Sequence, residues 1–184
     1  QHRPEVRLTP SQNLLLCGVA KTDKDKINSI LSENGLVVDK TGQGTVLERA
    51  SMACPALPTC GLALAESERY VPEFLGLVDN LLDNTGLVGE EIIVRMTGCP
   101  NGCARPYMAE LGIVGKSPDK YAVYLGGNVA GTRLARLYNQ TVPATEMADQ
   151  LRPLVERYAR NRQKGERFGD FCAREIWPEM EVAI

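Results

Sequence analysis

The sequence predicts a mixed fold of the α/β or α+β class. Short apolar runs typical of strands alternate with segments of helical spacing along the 184 residues, and no internal repeat is visible. Hydrophobic residues make up 43% of the chain and charged residues 24%, which is typical of globular proteins and excludes disordered or fibrous ones. A chain of this length can bury a hydrophobic core without disulfide bonds.

The N-terminal part predicts a strand, a helix and a second strand. The apolar run over residues 14–19 is typical of a short buried strand. Thr22 is suited to be the N-cap of a helix over residues 22–33, and Gly35 is suited to end it, because threonine caps helices and glycine terminates them. A strand over residues 50–54 is then expected to lead into a proline-containing loop.

Helical spacing dominates the middle and the end of the chain. It predicts helices over residues 62–70, 72–84 and 145–162. Pro153 lies inside the last of these and is expected to kink or break it, because proline has no N–H to donate. Three further strands are predicted over residues 92–96, 111–114 and 121–125.

No nucleic-acid or membrane partner is expected. The 21 Lys and Arg residues and 23 Asp and Glu residues give a net charge of -2, which removes the general electrostatic attraction to nucleic acids and anionic membranes. No apolar run approaches the roughly 20 residues that a membrane-spanning helix needs.

The chain has six cysteines and one histidine, which limits its chemistry. With His2 alone, an HExxH zinc site or a facial iron triad cannot form. The cysteine content is below that of a disulfide scaffold, and no signal peptide is recognisable, so a reducing, cytoplasmic setting is expected. Cys17 and Cys172 lie in apolar segments and are interpreted as core residues.

The other four cysteines form two closely spaced pairs, Cys54-x5-Cys60 and Cys99-x3-Cys103, each in a loop rich in proline and glycine. Four thiolates suit either a [4Fe-4S] cluster or a tetrahedral zinc ion. The spacing favours iron–sulfur, because structural zinc pairs usually have two residues between the cysteines, with up to four tolerated, whereas the gaps here are five and three. Zinc, a redox disulfide and chance clustering remain alternatives.

The sequence around these cysteines resembles a known family. The segment Thr97–Gly115 contains Cys99 and Cys103, and together with Ser51–Cys54 and Cys60 it resembles the C-terminal half of the assimilatory sulfite reductase hemoprotein, a siroheme enzyme of the sulfite and nitrite reductase superfamily. The resemblance extends over nearly the whole chain, through residues 7–13, 125–128, 131–133 and 168–171.

The resemblance implies two cofactors, a [4Fe-4S] cluster and siroheme. Cys54, Cys60, Cys99 and Cys103 match the four cluster ligands, and Cys103 also matches the thiolate that bridges the cluster to the siroheme iron, which makes it the expected catalytic residue. One cysteine serving both centres accounts for the scarcity of histidine. Asn101 is interpreted as a cofactor-binding residue that donates to a siroheme carboxylate or a cluster sulfide, or alternatively as a turn residue.

The resemblance also implies an activity and an architecture. The expected activity is the six-electron reduction of sulfite to sulfide in sulfur assimilation. The expected architecture is the C-terminal part of a nitrite/sulfite reductase fold, in which residues 1–35 belong to a ferredoxin-like (parachute) domain and residues 36–184 form the cluster-binding α/β domain. The missing N-terminal half of the same enzyme is an expected partner, and this chain alone is expected to be inactive.

The electron donor follows from a finer comparison. The segment Ala104–Gly112 looks closer to ferredoxin-dependent sulfite reductases than to the type coupled to NADPH through a flavoprotein. Ferredoxin is therefore the preferred donor, with a flavoprotein reductase second, and the setting is the plastid stroma if the source is a plant or an alga.

Two other functions stay open. One is a siroheme nitrite reductase, and the other is a non-catalytic four-cysteine metal-binding module. The cations that bind sulfite are expected in the absent N-terminal half and are not assigned to the basic residues near the motif, which are Arg95, Arg105, Lys116, Arg133 and Arg136. Gln12 and Asn13 are candidates for lining the pocket.

Overall fold

The computed structural model describes residues 4–11, 13–36 and 44–182, and the chain divides into two compact units, residues 1–45 and 46–184. In the first unit, β1 (Glu5–Leu8) pairs antiparallel with β2 (Leu14–Cys17). A 3-10 turn over Lys21–Asp23 leads into α1 (Lys24–Glu33). The helix ends before Gly35, as predicted, and the positive φ of 76° at this residue explains why glycine is suited there.

Two details of this first unit differ from prediction. The strand predicted as buried is largely exposed, with Leu14 68% and Leu15 52% accessible, because within the described residues β2 pairs only with β1. Thr22 is not an N-cap, since it lies inside the 3-10 turn that precedes α1. His2 and Gln12 lie outside the described residues.

The second unit is built on a five-stranded mixed sheet, which confirms the predicted fold class. The strands follow one another in chain order, β3-β4-β5-β6-β7. The pairs β3–β4 and β4–β5 are parallel, and the pairs β5–β6 and β6–β7 are antiparallel. The strands are β3 (Met52–Ala53), β4 (Val94–Thr97), β5 (Leu111–Ser117), β6 (Lys120–Leu125) and β7 (Arg136–Pro143).

Within the described residues, five helices accompany this sheet, together with 3-10 turns over Pro106–Met108 and Ala144–Glu146 and a π-helical turn over Cys172–Ile176. The helices are α2 (Val46–Ala50), α3 (Val71–Asn84), α4 (Met147–Asn161), α5 (Phe168–Phe171) and α6 (Trp177–Val182). No helix in the described part of the chain is long and apolar enough to cross a membrane.

The hydrophobic core lies between one face of the sheet and the apolar stripes of α3 and α4. The stripes arise because apolar residues recur with helical spacing, as at Phe74, Val78 and Leu81 in α3. They share the core with Val94 and Met96 of β4, both fully buried. Each fully buried apolar side chain contributes about 1.5–3 kcal/mol to folding, so this face holds the unit together.

Pro153 does not break α4, contrary to one of the two predicted outcomes. The helix is continuous from Met147 to Asn161, with Leu151 and Leu154 buried on either side of the proline. Pro153 itself is exposed. The carbonyl that loses its helical partner can therefore be solvated, which lowers the cost of the missing N–H.

The predicted helix over residues 62–70 is wrong, because tertiary contacts take up the backbone there. The N–H of Ala65 donates to the carbonyl of Gly98 at 3.0 Å, and the buried hydroxyl of Ser67 donates to the carbonyl of Met96 at 2.8 Å. The strand β7 and the short helix α2 were not predicted. Most of β7 is exposed or half-buried, so it lacks the apolar run that marks a strand in sequence.

The buried carboxylate of Glu110 links the start of α5 to the residues that precede β4 and β5. Glu110, fully buried, accepts hydrogen bonds from the guanidinium of Arg167 at 2.8 and 3.1 Å. It also accepts from the backbone N–H of Ile93 at 2.9 Å and of Gly169 at 3.1 Å. A buried charge is tolerated when it is paired and hydrogen-bonded in this way.

We predict that Glu110→Gln destabilises the protein by about 3 kcal/mol, because an amide cannot satisfy the guanidinium and both N–H donors of this network. Chemical denaturation of the purified chain measures the change. Glu179→Gln is the matched control, since Glu179 is 62% exposed where it pairs with Arg157. Its loss should cost less than about 1 kcal/mol. Equal effects of the two variants would contradict the role given to Glu110.

Candidate functional site

Both cysteine loops leave the sheet from neighbouring strands. Cys54 directly follows β3, and Cys99 comes two residues after the end of β4. Because β3 and β4 are parallel neighbours, the chain leaves both at the same edge of the sheet. The structure therefore brings the two predicted cysteine pairs into one region.

Backbone hydrogen bonds join these loops directly. The N–H of Cys54 donates to the carbonyl of Met96 at 3.2 Å, which continues the pairing of β3 with β4. The N–H of Gly98 donates to the Sγ of Cys54 at 3.3 Å, and the carbonyl of Gly98 accepts from Leu64 and Ala65 at 2.8 and 3.0 Å. Hydrogen bonds to cysteine sulfurs are among the contacts by which a protein tunes an iron–sulfur site.

The junction leaves no room for a side chain at Gly98. A Cβ there would lie 2.6 Å from the Cβ of Ala56 and 2.6 Å from the carbonyl oxygen of Ala65. Ala56 and Arg105 are non-glycine residues with positive φ, 50° and 57° respectively, and one lies in each cysteine-containing segment. Such conformations persist only where the surrounding structure imposes them.

The four thiols differ in exposure. Cys99 is 8% exposed, Cys54 and Cys60 are half-buried, and Cys103 is exposed. Among the described residues, no three Cys, His, Asp or Glu side chains lie close enough together to hold one metal ion.

The second cysteine loop is fixed at both ends but open in its middle. The Tyr107 hydroxyl donates to the carbonyl of Pro100 at 3.0 Å, and the N–H of Arg105 donates to the carbonyl of Gly102 at 2.7 Å. Burial, with smaller contributions from Tyr124 and Cys99, raises the pKa of Tyr107, which keeps this donor protonated. Asn101, like Cys103, is exposed, so both predicted cofactor residues are accessible to a group outside the chain.

Cys17 and Cys172 lie away from these loops in the sequence and differ from each other. Cys172 is fully buried in the core, and burial strongly raises the pKa of its thiol, so it is an inert core residue as predicted. Cys17 is half-buried at the end of β2 and is not a core residue.

Two of the basic residues near the motif are held by structural contacts. Arg133 donates to the carbonyl of Gly126 at 2.7 Å and pairs with Asp170 at 2.6 Å. The Arg136 guanidinium lies 4.2 Å from the centre of the Trp177 ring.

The remaining sequence candidates are placed differently. Lys116 is exposed on β5. Asn13, in the first unit, is exposed and its backbone N–H donates to the Thr9 hydroxyl at 3.0 Å. Arg95 keeps two buried nitrogens, Nε and Nη1, without a hydrogen-bond partner among the described residues. The sequence signal that could have singled out Arg95 is its position as a charged residue in an otherwise apolar strand beside the cysteine motif.

Comparison of the fold with solved structures places the chain in a class. It matches the structure of the Mycobacterium tuberculosis NirA protein with a TM-score of 0.70 and 26% identity, over 92% of this chain and 32% of that one. The mixed sheet and the joined cysteine loops thus belong to a nitrite/sulfite reductase fold, as the sequence predicted.

The sequence relatives are more specific. Sulfite reductase (NADPH) hemoprotein beta-component from Staphylococcus carnosus is 51% identical over 173 residues, and its counterpart from Bacillus subtilis is 46% identical over 173 residues. Each alignment covers 94% of this chain and 30% of the relative. The chain is therefore homologous to a portion of the sulfite reductase hemoprotein and spans about 30% of the length of these curated relatives. No family model matches the chain.

The preference for the ferredoxin-dependent type is wrong. These relatives are named for NADPH and come from bacteria, and nothing supports the plastid setting. The segment Ala104–Gly112 was a poor guide to the electron donor because several of its residues are determined by packing. Ala104, Pro106 and Ala109 are buried, and a Cβ on Gly112 would collide with the carbonyl of Pro106. Residues that are fixed by packing in this way carry little information about the electron donor.

We predict that Gly98→Ala lowers the stability of the protein by about 2 kcal/mol, because the added methyl group overpacks the junction of the two loops. Gly61→Ala is the matched control in the same region, since a Cβ there meets nothing within 4 Å. Thermal unfolding of both variants measures the difference. A Gly98→Ala protein as stable as the Gly61→Ala protein would show that the loops are not tightly joined.

Proposed function

We propose that this chain is the cluster-holding portion of a sulfite reductase hemoprotein that reduces sulfite to sulfide with six electrons. The observation that carries the proposal is the junction at Gly98, where two cysteine loops of the family spacing are hydrogen-bonded to each other. The relatives named sulfite reductase support the choice of substrate. Nitrite is the alternative substrate in the same fold.

Cys54, Cys60, Cys99 and Cys103 are proposed to hold a [4Fe-4S] cluster, with Cys103 also bonded to the iron of siroheme. The residues fit these groups, because four free thiols lie in two joined loops and one receives a backbone N–H. When bound, the cluster supplies electrons and the siroheme supplies an iron that binds the anion.

Four residues of the two cysteine loops are given separate roles in the proposed site. The Gly98 N–H stabilises negative charge on the Cys54 sulfur. The burial of Cys99 shields one ligand from water and oxidants. The exposure of Cys103 leaves its sulfur accessible to a second centre outside the loop. The exposed Asn101 amide is positioned two residues away and is proposed to donate to siroheme or to the cluster.

The remaining partners are proposed from the names of the relatives. "Beta-component" and "NADPH" support a separate component, proposed to be a flavoprotein, that passes electrons from NADPH to this hemoprotein in the cytoplasm. Residues 1–35 are proposed to complete a ferredoxin-like domain, and residues 36–184 to form the cluster-binding domain. The rest of the hemoprotein is proposed to supply the cations that bind sulfite.

We predict that Cys54→Ser, Cys60→Ser and Cys99→Ser each remove most of the iron and acid-labile sulfide from the full-length hemoprotein that contains this sequence. Cys103→Ser should in addition abolish the visible siroheme spectrum, because it removes the shared ligand. Cys17→Ser is the matched control and should retain both cofactors. The measurements are iron, sulfide and absorbance of protein purified without oxygen.

Two outcomes would contradict the proposal. Colourless wild-type protein with stoichiometric zinc would favour a non-catalytic metal-binding module. Turnover of nitrite without turnover of sulfite would favour a nitrite reductase.

A further inference from the structure

The face of the sheet opposite the helices carries two polar side chains of β4. Val94 and Met96 point into the core, so Arg95 and Thr97, which alternate with them, lie on the opposite face. Arg95 is opposite Gly112 on β5, and Thr97 is two residues further along the strand.

The second cysteine loop covers this opposite face. A Cβ on Gly112, the neighbour of Arg95, would collide with the carbonyl of Pro106. Tyr124 is opposite Gly112 on the other side, and its ring packs edge-on against Tyr107 at 5.0 Å. Arg95 therefore shares a sheet face with the segment that follows Cys103.

Both side chains have buried polar atoms without partners among the described residues. Thr97 is 1% exposed and its Oγ1 makes no hydrogen bond, and the Nε and Nη1 of Arg95 make none either. Other buried polar side chains of this unit, Ser67 and Glu110, are hydrogen-bonded. Arg95 as a residue is half-buried, but two of its guanidinium nitrogens are buried without an acceptor, which is destabilising, so this exception indicates a missing group.

The local charge indicates the sign of that group. Burial, and then the nearby positive charge of Arg105, lower the pKa of Arg95. Two guanidinium groups close enough to repel each other next to a cysteine loop favour an anion between or beside them.

We propose that the Arg95 guanidinium and the Thr97 hydroxyl together hold a carboxylate contributed from outside the described residues. A carboxylate is planar and accepts several hydrogen bonds, which matches the free N–H groups of Arg95 and the free hydroxyl of Thr97. The source is either a carboxylate of the bound tetrapyrrole or an Asp or Glu of the remaining hemoprotein chain. The first source rests on the proposed function, and the second does not.

The test uses Arg95→Met and Thr97→Val in the full-length hemoprotein. Both replacements keep the size of the side chain and remove its polar atoms. If no carboxylate is present, each variant removes an uncompensated buried polar group and raises the melting temperature. If a carboxylate is present, the variants lose the contacts that bind it and the melting temperature falls. The two cases therefore predict changes in melting temperature of opposite sign. Thr97→Ser keeps the hydroxyl and should behave as the wild type.

The matched control is Arg69→Met. Arg69 is 60% exposed and pairs with Glu66 on the surface, so its replacement should change neither cofactor content nor the melting temperature appreciably.

Two readouts distinguish the sources of the carboxylate. If it belongs to siroheme, Arg95→Met protein binds siroheme about tenfold or more weakly, retains cluster iron and sulfide, and melts at a higher temperature than the wild type when both lack cofactors, because no carboxylate is then present. If it belongs to the chain, the cofactor-free Arg95→Met protein melts at a lower temperature than the wild type.

Unchanged siroheme binding together with an equal or higher melting temperature would overturn the inference. Wild-type protein that binds neither siroheme nor iron would instead overturn the proposed function. In that case the melting temperatures still decide whether a chain carboxylate is present.

Discussion

The arrangement of the site depends on the backbone of Gly98. Its N–H is used by the sulfur of Cys54 and its carbonyl by two N–H groups of the segment that follows Cys60. Because neighbouring atoms lie where a Cβ would be, the contact can form only with glycine. One residue thereby fixes the distance between two loops that are far apart in the sequence. The helix α3 and strand β4 are then positioned relative to each other through the same segment.

Elements with their own hydrophobic pattern could be predicted from the sequence. The strands over Leu111–Ser117 and Lys120–Leu125 and the helix α4 are marked by apolar spacing, and each appears close to its predicted place. Elements defined by distant partners could not. Residues 62–70 have helical spacing, yet the Ala65 N–H and the Ser67 hydroxyl donate to the carbonyls of Gly98 and Met96, at and just beyond the end of β4. The strand β7 is defined by its pairing with β6, and it has no apolar run from which it could be predicted.

The same division applies to the site. The four cysteines were predicted as ligands from chemistry and spacing, because few residue types bind soft metals. The structure joins their two loops, and their role as ligands stays a prediction. The roles of Arg95 and Arg133 could not be told apart, since both are arginines near the motif. Only the structure shows that Arg133 is satisfied by Gly126 and Asp170 while Arg95 retains unpartnered nitrogens. The segment Ala104–Gly112 does not identify the electron donor, which explains the error over that partner.

The buried Glu110 has a consequence for how the protein is organised. It directly follows the second cysteine loop, and its carboxylate is held by Arg167 and Gly169 near the other end of the chain. The last helices contribute no cysteine to the proposed cluster, yet they anchor the end of the loop that does. The stability of the proposed cluster loop is thus coupled to residues 57 and 59 positions downstream of Glu110. Cleavage of the chain between α4 and α5 would free the Glu110 carboxylate from Arg167 and Gly169 and so loosen the end of the second cysteine loop.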